Sequence, residues 1–376
     1  AVASVRRRQT RIQEMSKGFW SSRGETPGWH ALQLAGRLVQ AIEHATDEVQ
    51  NASGAAQVLR GYVDRWWRID RDYRLAKDAL SVPFPARETL AGWVDRAYRQ
   101  FLEVENQHWS TLLEDQVTWE FPGVLQSQDS FWARVTESDS GRRAIFLVDA
   151  LRYELAQALV ERLPEDYETV LDPMLGNLPS ITPLGMSALM PDASQREVAW
   201  SAEGWQIRQP DFTGDLANKA GRDKWLHKRL DNVSIVNLDD LLRPEAAIDP
   251  QAAWLVITTS QIDAVGESSG TLTPDILDAL LDRLRQGVRR VIQAGFPTVH
   301  IATDHGFLLL DRVAEHGKAI LPERAWLKKS ARYAIAQELP EGDHLRFPIP
   351  GSRELVGWYP RGTICFKTPG PYNYVH

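Results

Sequence analysis

The sequence predicts an α/β protein, a mostly parallel sheet with helices on both faces, preceded by an α-helical domain. Two observations carry this. Beyond about residue 125, short apolar runs of strand length alternate with amphipathic helical stretches, the pattern of a parallel sheet joined by crossover helices. Before that point the apolar residues recur at helical spacing and no strand-like run appears. Hydrophobic residues make up 43% of the 376 and charged residues 25%, so disorder as the main state is excluded.

Taken in order, Leu32, Leu34, Leu38, Val39 and Ile42 mark one helix within residues 27–77, Gly54 interrupts, and Val58, Leu59, Tyr62, Val63 and Trp66 mark the next. Pro83 and Pro85 break the chain near 80–88, and a third helix runs from Arg87 to about Glu114. Residues 1–125 hold no cluster of catalytic residue types and read as a scaffold or docking domain. Residues 126–376 form the second domain. Its strands are Arg143-Ala-Ile-Phe-Leu-Val-Asp149, Val233 to Leu238, Trp254 to Thr259 and Thr298 to Thr303. A helix carrying Leu151, Leu155, Leu159 and Leu163 follows the first, and one from about Pro274 to Gln293 follows the third. Residues 190–225 and 307–375, rich in Pro, Gly and Trp, read as cap insertions.

Several classes are excluded by composition. No apolar run approaches the roughly 20 residues that cross a bilayer, so no membrane partner is expected. The start has no apolar signal-peptide core. Cys365 is the one cysteine, so neither an internal disulfide nor a cysteine zinc knuckle can form, which fits a reducing cytoplasmic setting. The chain begins without Met and stops at Val375-His376, and reads as a fragment of a longer protein. Charge is uneven: residues 1–77 hold 13 Lys and Arg against 8 Asp and Glu, leaving −12 on the remainder of a chain whose net charge is −7. The basic segment around Trp66-Trp67 either holds a phosphate backbone or is a solvated helix face with its tryptophans turned inward.

Ligands of open α/β sheets bind at the carboxyl ends of the strands. Asp149 ends the first strand, Asp263 lies four residues past Thr259, and Asp304 ends the fourth strand with His305 beside it. Each Asp alone could be a helix cap. Three carboxylates and a His gather at one sheet edge; close carboxylates repel and call for a cation between them, and oxygen and imidazole ligands suit Zn, Mn or Mg. Thr182 precedes Pro183 at the start of a helix. It is either only an N-cap, or a hydroxyl at a helix N-terminus whose free N–H groups would bind a phosphoryl oxygen and which a metal would activate.

These pieces resemble the alkaline phosphatase superfamily, and more closely the PglZ family of the BREX and phage growth limitation systems of bacterial antiviral defence. The matching residues are Val148-Asp-Ala-Leu-Arg-Tyr-Glu154, Leu178-Pro-Ser-Ile-Thr-Pro-Leu-Gly-Met186, Asp263-Ala-Val-Gly-Glu267, Thr303-Asp-His-Gly-Phe307 and Tyr374-Val-His376. The resemblance covers about residues 141–376 and implies an alkaline-phosphatase-like core with two divalent ions. Asp149, Thr182, Asp304 and His305 would hold the first, and Asp263, Glu267 and His376 the second. Superfamily members often read Asp-x-x-Gly-His around Asp263. Glu267 replaces that imidazole here, which favours a harder ion such as Mn or Mg. By the resemblance Thr182 is the nucleophile and Ser180 its reserve. Gly185 stands where related phosphodiesterases often carry a phosphate-binding Asn. Arg152, one turn past Asp149, is either a substitute contact or one half of a surface ion pair.

The implied activity is metal-dependent hydrolysis of a phosphoric ester, more a phosphodiester than a monoester, with a nucleic acid or nucleotide as the natural substrate and other defence subunits as partners. The rival reading is a non-catalytic structural subunit that docks those partners through its helical domain.

Overall fold

The computed structural model describes residues 27–376 apart from 115, 117–118, 122, 138–140, 270–272, 310–316, 324, 339–344, 369–373 and 376. The chain divides into two compact units. One comprises Ala1–Gln116, Thr273–Ile276 and Arg361–Thr363, and the other Val117–Leu272, Leu277–Pro360 and Ile364–His376.

The first unit is helical. α1 (Pro27–Gln50) packs on α3 (Trp67–Ala79) and α4 (Arg87–Leu113). Ala31, Leu34, Leu38, Val39, Ile42 and Val49 form its buried stripe. Between α2 (Ala55–Gly61) and α3 the helix widens into one π-helical turn, Tyr62–Trp66. The Trp66 ring lies over Gly61 so closely that a Cβ there would stand 2.5 Å from it. Trp66 and Trp67 are each 4% exposed, so the inward reading of the basic, aromatic stretch holds and no base can stack on these rings. Trp66 instead donates its indole N–H to Glu48, at 2.7 Å. Buried Asp70 accepts from the hydroxyls of Tyr62 and Tyr98, each at 2.6 Å, and Tyr73 stacks on Tyr98 with ring centroids 3.9 Å apart.

In chain order the second unit carries α5 (Phe131–Glu137), β1 (Arg143–Val148), α6 (Tyr153–Val160), α7 (Thr182–Ala188), the hairpin strands β2 (Glu197–Ser201) and β3 (Gly204–Arg208), α8 (Lys219–Arg229), β4 (Val233–Asn237), β5 (Trp254–Thr259), α9 (Gln261–Ser269), α10 (Pro274–Gln293) and β6 (Thr298–Thr303). Four short strands follow: β7 (Lys328–Lys329), β8 (Ala334–Ala336), β9 (Leu345–Pro348) and β10 (Val356–Tyr359). The main sheet has the order β4-β5-β1-β6 and is parallel throughout. Central β1 is buried from Ala144 to Val148, as a strand covered on both faces must be. Its side chains alternate between two helical layers. Ile145 and Leu147 join the core of Phe131, Trp132, Leu184 and Met186, while the Phe146 ring meets α10 at Gly287. The four strands lie where the apolar runs predict them. The helices depart more: α6 ends at Val160, short of Leu163, and α9 intervenes before the helix expected after β5.

The stretch expected as a first insertion holds the β2–β3 hairpin, and the later one a small antiparallel sheet of order β7-β8-β10-β9. Outside it, Tyr374–Val375 pairs antiparallel with Leu308–Leu309.

Replacing Asp70 by Ala strands two tyrosine hydroxyls inside the helical unit. It is expected to lower stability by about 1–3 kcal/mol, read as a lower urea midpoint.

Candidate metal centre

Register brings the site together. Val148 at the end of β1 is level with Thr259 of β5 and Thr303 of β6, so the residues after each emerge side by side. Asp149 follows β1 and Asp304-His305 follow β6. Asp263 sits in the first turn of α9, just past β5. Ligand atoms of Asp149, Asp263 and His305 all lie within 4.8 Å of one another. Asp263 thus stands in one cluster with Asp149 and His305.

The backbone aims these groups. Ala150 adopts the left-handed conformation, at φ 61°, which for a residue with a Cβ costs about 1–3 kcal/mol. The turn it makes directs the Ala150 N–H to Asp304 Oδ1 at 3.0 Å and the Leu151 N–H to Thr303 Oγ1 at 2.9 Å. Asp304 Oδ1 also accepts the N–H of His305, at 2.9 Å. The His305 Nδ1 lies 2.9 Å from the carbonyl oxygen of Gly306, which accepts only from an N–H. Nδ1 therefore carries a hydrogen, and Nε2 faces Asp149 Oδ1 and Asp304 Oδ2, 3.5 and 3.4 Å away.

Thr182 Oγ1 completes the group, 3.4 Å from Asp149 Oδ1 and 3.3 Å from His305 Nε2. The N-cap of α7 is Ile181 rather than Thr182, so the reading of Thr182 as only a cap is corrected. The helix spans just 7 residues, which leaves little dipole for a phosphate to exploit. Ser180 stands two residues before the helix, and it is Thr182 that reaches the cluster. Gly185 has a packing reason. A Cβ there would fall on the carbonyl oxygen of Asp304 and stand 2.7 Å from the Asp304 Cβ. The position where an Asn was looked for admits no side chain.

Burial, first, and the neighbouring carboxylates Asp304 and Asp263 push the Asp149 carboxyl well above its usual range. Burial likewise raises Asp304, against the hydrogen bonds from Ala150 and His305. Glu267, one turn beyond Asp263, is raised by partial burial and then by Asp263. Asp304 Oδ2 is buried and accepts no hydrogen bond among the described residues. An orphaned carboxylate oxygen, an imidazole nitrogen and crowded acids form a donor set that fits a divalent cation.

Arg152 is buried rather than on the surface. It pairs with fully buried Glu154 at 2.7 Å and lies over the Phe307 ring at 5.0 Å. His376 lies outside the described residues. Other groups escape sequence reasoning. Buried Gln128 donates to the carbonyl oxygens of Thr303 and Asp304, both at 2.8 Å, and binds Asn177, which in turn accepts from Arg196. Arg222 of α8 is held by the carbonyl oxygens of Leu216 and Ala217 at 3.0 and 3.1 Å. Burial pushes its pKa down, while the charges of Asp304 and Asp149 act on it in the opposite sense. A side chain from a sequence-distant helix carries no motif, so no local signal marks either residue.

A family model described as the BREX system PglZ alkaline phosphatase-like domain matches residues 132–376. The chain belongs to the PglZ family. The alkaline phosphatase-like protein BrxZ of Escherichia coli O9:H4 (strain HS) is 27% identical over 342 residues, 84% of this chain and 38% of that relative. The chain therefore spans well under half the relative's length. Among the described residues no helix is long and apolar enough to cross a membrane.

Gly185→Ala is expected to cost about 1–3 kcal/mol through overpacking and to weaken metal binding by moving Asp304, read by thermal melting and metal titration. A pH effect also follows. Asp149 and Asp304 hold protons to higher pH in the folded than in the unfolded chain. Their stabilising contribution is full below the unfolded value of about 4 and is lost as pH rises through the raised folded values. The melting temperature of metal-free protein should fall across this window, and Asp304→Asn should flatten the fall.

Proposed function

We propose that the α/β unit hydrolyses phosphodiesters in a metal-dependent reaction, as a component of a BREX-type phage defence system in the bacterial cytoplasm. The observation that carries this is the placement of the Thr182 hydroxyl against both Asp149 and His305, at 3.4 and 3.3 Å. A hydroxyl between a carboxyl group and an imidazole nitrogen is placed to hand on its proton and attack.

Asp149, Thr182, Asp304 and His305 would hold one ion, and Asp263, Glu267 and His376 a second, with Zn or Mn as first choice and Mg as the alternative. Such ions supply neutralisation of the phosphate charge and a lowered pKa for the hydroxyl and for water. Thr182 Oγ1 attacks phosphorus as its proton passes to the adjacent Asp149 or His305, and the bond to the leaving oxygen breaks, that alkoxide taking a proton from solvent. A water then attacks the phosphothreonine, releasing the phosphate monoester and restoring the hydroxyl. The N–H groups of Ala150 and His305 orient Asp304, and the Gly306 carbonyl oxygen keeps a hydrogen on Nδ1 of His305 so that Nε2 faces the cluster. Arg222, within electrostatic reach of Asp149 and Asp304, is the better candidate than Arg152 for a phosphate oxygen, because Arg152 is committed to Glu154 and Phe307.

Turnover of bis(p-nitrophenyl) phosphate with Mn, Zn or Mg tests the reading. Thr182→Ala should cut kcat by about three orders of magnitude or more, and Arg222→Ala by about 100-fold. If no ion supports turnover in folded protein, or Thr182→Ala is as active as the parent, the hydrolytic reading falls and the role of structural subunit takes its place.

A further inference from the structure

The β2–β3 hairpin does something the catalytic cluster does not need. Trp200 and Trp205 are opposite one another in its register, with ring centroids 5.1 Å apart at 87°. Both are half-buried and rest on the main core of the second unit, so their orientation is set before any ligand arrives. Both line an open cleft of about 580 Å³ that also includes Thr182, Gln206, Glu267 and Lys328. That volume lies within the roughly 300–1,000 Å³ typical of small-molecule sites.

The charge of the cleft narrows its occupant. Glu203, Asp215 and Glu267 line it against one Lys328. Successive backbone phosphates would be repelled there. An uncharged flat ring would not be, and each heterocyclic base offers a π face to an indole. We propose that this cleft is a base-binding site, in which Trp200 and Trp205 hold one unpaired base of the ester whose phosphate meets Thr182. The proposal rests on the phosphodiester reading above and adds its substrate class: a nucleotidyl ester with the base next to the scissile phosphate out of its stack, in place of a duplex lying along the surface. Gln206 and Lys328 are the polar groups within the cleft that can address the base edge and the adjoining sugar.

The test is a binding measurement on the metal-free 376-residue chain labelled with fluorotryptophan. Fluorine NMR follows titration with adenosine monophosphate and, separately, ribose phosphate, which differ only in the base. Trp200→Phe and Trp205→Phe keep an aromatic ring and serve to assign the two resonances. The expected result is that both resonances shift with adenosine monophosphate and stay in place with ribose phosphate. Trp205→Ala should weaken adenosine monophosphate binding by about tenfold, the scale of one base–aromatic contact, with ribose phosphate unaffected. Equal shifts with both ligands, or none with either, overturn the base site, and the wild-type titration decides this even if Trp205→Ala fails to fold. Because neither metal nor turnover enters the measurement, it separates the two ideas. Hydrolysis without base-dependent shifts would refute the cleft and leave the hydrolase reading. Base-dependent shifts without hydrolysis would do the reverse.

Discussion

Three carboxylates share one small buried space at the end of a parallel sheet. Asp149, Asp263 and Asp304 are all buried there, and Asp304 and Asp263 make the position of Asp149 worse. A protein fold tolerates this only when protons or cations offset the charge, and when the surrounding scaffold is stiff enough to keep the acids from turning outward. Much of the second unit can be understood as that scaffold. The strands β5, β1 and β6 end level with one another. The chain immediately past β1 accepts a left-handed alanine in order to place two N–H groups. Gln128 ties down the carbonyl groups of Thr303 and Asp304 from behind.

The arrangement also explains why two ion pairs of buried arginines near the site are more structural than chemical. Arg152 with Glu154, and Arg196 with Asp129, are ion pairs that keep their cations away from the cluster. A guanidinium that reached the carboxylates directly would compete with a metal ion. Arg222 differs because its carbonyl anchors hold it within electrostatic range of the acids.

What the sequence made legible was local. The strands show as apolar runs because both faces of a parallel sheet are covered, and the acids at their ends follow from where those runs stop. The reach of Thr182 was anticipated through its motif. The order β4-β5-β1-β6 was not, since it depends on which crossovers pack, and it is this order that seats Asp263 beside Asp149 and His305. Arg152 was misjudged as a surface group because the burial of Glu154 two residues on is a tertiary property. Gln128 and Arg222 come from segments far from the motifs, and Asn177, next to one of them, acts only through its tertiary contact with Gln128. Trp200 and Trp205 could have been noticed as a cross-strand pair, yet only the folded chain places them at the same cleft as Thr182.

Gly185 holds a further lesson about distances. Its backbone lies against that of Asp304 with no side chain between them, so the gap between α7, which carries Thr182, and the β6 terminus, which carries Asp304 and His305, is set by main chain on main chain. A spacing fixed by side chains can relax by changing rotamers. One fixed by two backbones has no such freedom and acts as a gauge block. The separation of Thr182 from Asp304 and His305 is therefore a dimension of the fold itself.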